Sequence, residues 1–133
     1  MKQEIVFSGQ ADTENAVQEL VRKLKNPPER YNAVIFFASS DYDFEILSTL
    51  LHEKFSGAQV IGTTTSGEIS KQGFTSRSIV LTALSCDRTK FSGVIFDGVD
   101  KFPIVHKKEL EDAAAKIGIR CADPTSHRNA FAI

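Results

Sequence analysis

The stretch Ala33–Ala38, AVIFFA, decides the fold class of this chain. It is a continuous apolar run rich in residues that favour β-strands. Such a run is typical of a strand buried on both faces, as in a sheet covered by helices. A second strand candidate, Gln59–Gly62, runs directly into Thr63–Glu68, TTTSGE, which holds four hydroxyl side chains, a glycine and a carboxylate. We therefore predict an α/β fold with polar groups where its strands end.

Helical and strand patterns precede the AVIFFA run. Glu4–Phe7 is a short strand candidate. Asp12 or Thr13 is placed to cap the helix that follows, in which apolar residues between Val17 and Leu24 recur at helical spacing. We expect Pro27-Pro28 to end this helix, because proline lacks the backbone donor and clashes with the preceding turn.

A second helix follows the AVIFFA run. Ser40 and Asp43 have the spacing of a capped helix start. Apolar residues between Leu47 and Leu51 give this helix a buried side, and Gly57 supplies a stop before the next strand. The order up to this strand is βαβαβ, which predicts a parallel start to the sheet.

Shorter segments fill the rest of the chain. A turn at Lys71-Gln72-Gly73 and strands at Ser78–Leu84 and Phe91–Phe96 lie too close together for helical crossovers, so they predict an antiparallel meander. A last helix has its apolar face between Leu110 and Ile117, and Asn129–Ile133 reads as a final strand. The predicted fold is a mixed β-sheet with helices on its faces, in one domain over residues 1–133.

Composition excludes several classes of function. The chain has 133 residues, of which 41% are hydrophobic and 25% charged, and its formal net charge is -1. This is an ordinary globular balance. The basic residues are dispersed, so no nucleic-acid surface is indicated. No apolar run approaches the roughly 20 residues that span a bilayer. We expect a cytoplasmic protein with no membrane segment.

Two predicted loops leave the ends of successive parallel strands, one at Ser39-Ser40-Asp41 and one at Thr63–Glu68. In open sheets of this kind, ligands gather outside the carboxyl ends of the strands. If the strands are neighbours, the serines can meet a ligand carboxylate near the helix start, while the threonines or Glu68 hold an amine or a hydroxyl. The predicted ligand-binding residues are Ser39, Ser40, Gly62, Thr63, Thr64, Thr65, Ser66, Gly67 and Glu68.

Each of these residues has a structural alternative. Ser40 can serve only as a helix cap. The threonines can form a plain strand, because threonine favours strands. Glu68 can be a solvated residue at the start of a strand. Gly62 and Gly67 can serve turns or close packing without touching a ligand.

Catalytic and metal motifs are missing from the sequence. There is no G-x-S-x-G elbow and no glycine-rich phosphate loop. His52, His106 and His127 are too scattered for a metal signature. Hydroxyl groups do little chemistry without an activating base. We predict no catalytic residue, no metal and no enzyme activity. A small hydrolase or transferase with Glu68 or a histidine as base is the first alternative, and a ligand-free dimerisation or scaffold module is the second.

The segments 33–43 and 58–69, in this order and spacing, resemble the N-terminal part of the FIST domain. The strand Ser78–Leu84 lies at the distance that this family leads one to expect. The resemblance implies a sensory module of bacterial signalling proteins that binds small molecules such as amino acids. It also implies an output partner, which in this family is a histidine kinase, a chemotaxis receptor or a cyclic-dinucleotide enzyme. Haem is a minor alternative and would require one of the three histidines as its axial ligand.

The resemblance also bears on the extent of the chain. Complete FIST proteins continue past the point that corresponds to Ile133, so we expect this domain to be truncated at its C-terminal end. An unpaired strand edge and a missing partner surface would both favour a homodimer.

Overall fold

The computed structural model describes residues 1–70, 73–98, 100–101 and 103–120. The chain divides into two compact units, Met1–Thr89 and Lys90–Ile133. The interpretation of residues 1–133 as one truncated sensory domain stays a prediction.

The first unit contains a four-stranded mixed sheet and a separate two-stranded one. Its elements are β1 (Lys2–Ser8), α1 (Thr13–Lys23), a 3-10 turn (Pro28–Arg30), β2 (Ala33–Ser39), α2 (Phe44–Lys54), β3 (Gln59–Thr65), β4 (Glu68–Ser70), β5 (Gly73–Thr75) and β6 (Ile79–Ser85). The order in the large sheet is β1-β6-β2-β3, while β4 and β5 form a separate two-stranded sheet among the described residues. The predicted α/β fold with a mixed sheet is confirmed.

Strand direction places three carboxyl ends on one edge of the large sheet. β2 and β3 are parallel neighbours. β6 is antiparallel to both β1 and β2. It follows that β1, β2 and β3 all run the same way, and that Ser8, Ser39 and Thr65 end their strands at the same edge.

One face of the large sheet carries the core. Val34 and Phe36 of β2 point to this face, where α1 and α2 pack. The buried core residues are Val6, Ala16, Val17, Leu20, Tyr31, Val34, Phe36, Ala38, Tyr42, Leu47, Leu51, Phe55, Val60, Ile79, Leu81 and Ala83. Removing this apolar surface from water is the main favourable term in folding the unit.

The opposite face of the sheet is only partly buried. The side chains of Ile5, Phe37 and Ile61 lie on it and are 42%, 43% and 46% exposed. The prediction that the AVIFFA strand is buried on both faces is therefore wrong for the described residues. Hydrophobicity alone did not distinguish the two faces, because Ile35 and Phe37 are as hydrophobic as their buried neighbours Val34 and Phe36. Both α1 and α2 lie on the side of Val34 and Phe36.

The start of α1 agrees with the prediction, and its end does not. Asp12 caps α1, as expected, since its side chain accepts from the Asn15 N–H at 2.9 Å. α1 ends at Lys23, before Pro27-Pro28, so the prolines do not terminate it.

The cap of α2 is Asp43, because its carboxylate accepts from the Ile46 N–H at 3.0 Å. Ser40 lies three residues before this cap, in an exposed turn. Its interpretation as the helix cap is wrong.

β3 is longer than predicted. It runs to Thr65 because Thr63, Thr64 and Thr65 all continue the pairing with β2. The hydroxyl block is thus a strand end followed by a tight turn at Ser66-Gly67, and the alternative of a threonine-rich strand is correct for its first half.

The second unit contains α3 (Lys107–Lys116), preceded by a 3-10 turn (Pro103–His106). α3 ends before Gly118, whose φ of +89° suits glycine, as the sequence predicts. Phe91–Phe96 forms no strand, so that prediction is wrong. Both edges of β6 are taken by β1 and β2, so the meander cannot continue on that strand. The predicted strand Asn129–Ile133 lies outside the described residues.

Within the part of the chain that the structure describes, every helix falls short of the length and apolarity needed to cross a bilayer.

Candidate functional site

The two predicted ligand loops emerge side by side. Ser39 of β2 is in register with Thr65 of β3, on neighbouring parallel strands. Segments 39–41 and 62–68 therefore lie at the same end of these two strands, and we call these residues the rim. The expectation that the two loops share an edge is confirmed.

The three threonines of the rim do not share one surface. Thr63 and Thr65 point to the face without helices, and Thr64 points to the helix side, opposite Ala38, because successive strand residues alternate. The Thr63 hydroxyl donates to the Thr64 carbonyl at 3.3 Å. Thr64 is exposed. A single ligand cannot meet all three hydroxyls from one side of the sheet.

Glu68 is the buried carboxylate of the rim, with only 2% of its surface exposed. The Thr65 hydroxyl donates to Oε1 at 2.5 Å, and the Ser78 hydroxyl donates to Oε2 at 2.5 Å. The interpretation of Glu68 as a solvated residue is wrong. Short hydrogen bonds to an ionised carboxylate are among the stronger ones in proteins.

Two hydroxyl groups that were not among the predicted site residues complete this cluster. Ser78 is fully buried, and its Oγ lies 2.9 Å from Oγ1 of Thr75. The Thr75 hydroxyl also donates to the Glu68 carbonyl at 3.3 Å. The segment 75–78, TSRS, is a second run of hydroxyl residues directly before a strand, and this was the available signal.

The serines of the first loop differ in their exposure. Ser39 is buried, and its Oγ accepts from the Asp41 N–H at 3.3 Å. Ser40 and Ser66 are exposed. The start of α2 already holds the Asp43 carboxylate, so a ligand carboxylate would have to compete with it there.

Both rim glycines leave room for aromatic rings. A Cβ at Gly62 would stand 2.4 Å from the Phe36 ring, and a Cβ at Gly67 would stand 2.4 Å from the Phe74 ring. These distances favour the packing alternative for both glycines. Contact of either with a ligand stays a prediction.

Tyr42 joins three segments behind the rim. Its hydroxyl lies 2.7 Å from the Gln10 carbonyl and 3.2 Å from the Arg77 carbonyl. Burial, together with the negative charges of Glu68 and Asp41, raises the pKa of Tyr42, so the phenol stays protonated and donates. Arg77 has a φ of +53°, and its guanidinium pairs with Asp41 at 3.1 Å.

A polar groove of about 410 Å³ lies along α1, apart from the predicted residues. Gln10, Asn15, Gln18, Glu19 and Arg22 line it. Glu19 is already engaged, because it accepts from Ser8 at 2.6 Å and pairs with Lys23 at 2.8 Å.

The haem alternative stays a prediction. His106 has Nδ1 2.6 Å from Oε2 of Glu109 and Nε2 2.9 Å from the Asp97 carbonyl, so both of its ring nitrogens are hydrogen-bonded. The Glu109 carboxylate raises the pKa of His106, although partial burial opposes it. His52 is exposed on α2, and His127 lies outside the described residues.

The fold and the rim define the class of this protein: an α/β domain with a polar edge at the ends of its parallel strands. The model of the FIST N domain family matches residues 32–132, and the chain belongs to this family. The match begins directly before β2. FIST domains are sensory domains of signal transduction. No curated protein sequence matches the chain significantly.

Proposed function

We propose that this chain is the input domain of a cytoplasmic signalling protein and that it binds a small polar ligand, such as an amino acid, at the rim. One observation carries the proposal. Ser39 and Thr65 end neighbouring parallel strands in register, and Glu68 is buried beside them. Hydroxyls and a carboxylate at such an edge are suited to recognising ammonium and hydroxyl groups.

The exposed part of the rim supplies the first contacts. Ser40, Thr64 and Ser66 all reach solvent and can donate or accept hydrogen bonds. Glu68 is buried and each of its oxygens accepts one hydroxyl, so we expect an ammonium group to reach it by replacing the hydroxyl of Thr65 or Ser78. A charged donor forms a stronger bond to a carboxylate than a hydroxyl does, and for an amine this gain has to exceed the cost of taking the ammonium group out of water.

The geometry favours binding over catalysis. A general base must come within hydrogen-bond reach of the proton that it removes. Glu68 is buried, and each of its oxygens accepts from a protein hydroxyl. Because it is buried and hydrogen-bonded in this way, Glu68 is poorly placed to take a proton from a substrate in solvent. This supports the proposal that the chain is not an enzyme.

Signalling requires an output module, in the same chain or in a partner. A ligand shifts a conformational equilibrium only by its differential affinity for the two states. A histidine kinase, a chemotaxis receptor or a cyclic-dinucleotide enzyme would read the shift.

A thermal shift screen against amino acids and small organic acids tests the ligand. A ligand that prefers the folded state stabilises the protein, by about 2.7 kcal/mol at a ligand concentration of 100 times its Kd. This stabilisation raises the melting temperature. We expect at least one amine-bearing compound to raise it. We expect Thr64→Val with Ser40→Ala to abolish the rise, and Asn15→Ala in the α1 groove to leave it unchanged. A flat response, or loss of the rise only in Asn15→Ala, would contradict binding at the rim.

A second candidate function is dimerisation without a ligand. The partly exposed apolar face at Ile5, Phe37 and Ile61 favours it, because such faces mark contact surfaces. Light scattering that shows a stable dimer, dissociated by Phe37→Ser and insensitive to every compound of the screen, would establish this function instead.

A further inference from the structure

We propose that strands β4 and β5 open as a unit, separately from the four-stranded sheet, and that the Glu68 carboxylate is the latch that keeps them closed. This inference concerns the protein without a ligand, and it holds or fails independently of the proposed function.

The strand pairing isolates β4 and β5. They pair with each other in the register Glu68↔Thr75, and neither pairs with a strand of the large sheet. Because the ladder hydrogen bonds of the two sheets are separate, opening one breaks no ladder bond of the other.

Polar contacts join these strands to the ends of the large sheet, and two of them converge on the side chain of Glu68. Thr65, at the end of β3, donates to one Glu68 oxygen, while Ser78, directly before β6, donates to the other. The carboxylate is thus held by donors on two sides of the rim. Losing either donor leaves a buried carboxyl oxygen short of a partner, which is costly.

Large apolar side chains contribute little to holding the two strands closed. Ile69 and Phe74 lie opposite each other across the hairpin and are 80% and 72% exposed. The Phe74 ring lies over Gly67, so it packs next to its own hairpin. Elements with few buried apolar contacts open at lower free energy than the core does.

Amide hydrogen exchange measured by NMR tests the latch. In the unaltered chain, we expect the slowest β4 and β5 amides to exchange at least 10-fold faster than those of β2 and β6. In Glu68→Gln, exchange in β4 and β5 should rise by a further 10-fold or more, while β2 and β6 should stay within a factor of two.

Thr65→Val and Thr63→Val form a matched pair on the same strand. Thr65→Val removes one donor to Glu68 and should speed β4 and β5 exchange about fivefold, which corresponds to about 1 kcal/mol. Thr63→Val removes a hydroxyl that bonds only within β3 in the described contacts, and should change nothing. If Glu68→Gln does not fold, the Thr65 pair decides the question.

Three results would overturn the proposal. Exchange of β4, β5, β2 and β6 at one common rate in the unaltered chain would make them a single cooperative unit. An equal acceleration of both groups in Thr65→Val would make Glu68 a general core residue. Identical exchange in Thr65→Val and Thr63→Val would show that the bond to Glu68 does not hold the strands.

Discussion

Single residues at the rim owe their roles to neighbours that are distant in the sequence. Glu68 accepts one hydrogen bond from a near neighbour, because Thr65 is only three residues away. Ser78 is ten residues away and is delivered by the chain that leads into β6. The sequence shows the hydroxyls and the carboxylate, but only the folded chain pairs them.

Gly62 is the residue whose replacement tests the packing of the rim most directly. An alanine Cβ would stand 2.4 Å from the Phe36 ring, which is itself buried against the helices. We expect Gly62→Ala to lower the free energy of unfolding by about 1 to 3 kcal/mol, because overpacking forces the ring out of place. Urea unfolding followed by circular dichroism measures this.

Gly57→Ala is the matched control for this substitution. A Cβ at Gly57 meets nothing within 4 Å, and its backbone is not left-handed, so its stability should stay the same or rise by about 0.4 to 1 kcal/mol. Equal losses for the two variants would contradict the packing role of Gly62. Phe36→Leu should cost less in the Gly62→Ala background than alone, because the smaller side chain makes room.

Local rules define most of the elements, and they fail where tertiary contacts compete. Helical spacing and an acidic cap predict α1 correctly, since a helix satisfies its own backbone groups. The first hydroxyl after a strand is a weaker guide, as the start of α2 shows. There Tyr42 is buried between Ser40 and Asp43, so the helix begins one turn later than Ser40 suggests.

The start of α2 gives a prediction at the scale of the element. Asp43→Ala removes the acceptor of the Ile46 N–H and should cost about 1 kcal/mol of stability. Ser40→Ala should cost less than about 0.5 kcal/mol, as exposed substitutions usually do. Urea unfolding compares the two variants, and a larger loss for Ser40→Ala would restore Ser40 as the cap.

Across the whole first unit, the large sheet has one face packed by helices and one partly open. Phe36 and Phe37 are neighbours in β2, but they are 2% and 43% exposed. Because strand side chains alternate, the same residue type serves the core at one position and the open face at the next.

These two phenylalanines test the asymmetry of the sheet. Phe36→Ala should destabilise the protein by about 3 to 5 kcal/mol, since it leaves a cavity in the core. Phe37→Ala should cost about 1 kcal/mol, because part of its surface is already in water. Chemical denaturation measures both losses. Similar losses would mean that the open face is covered in solution, by a second copy or by another layer, and light scattering would then identify a dimer.

Much of the fold could be predicted from the sequence, and rather less of the rim. The AVIFFA strand, both helices of the first unit and β3 follow from periodicity and composition, which act within a few residues. Phe91–Phe96 has the composition of a strand but forms none, because a strand also needs a partner strand to pair with, which periodicity does not report. Thr75 and Ser78 were not predicted for a similar reason, because the pairing of β4 with β5 brings them to Glu68.

The sequence by itself determined the helices, the main strands, the family and the chemical character of the rim, because propensity and spacing are properties of neighbouring residues. Only the tertiary structure decided which face of the sheet is buried and that Ser78 donates to Glu68. The buried face depends on the insertion of β6 between β1 and β2 and on the packing of the helices, and such contacts between distant parts of the chain leave no local pattern.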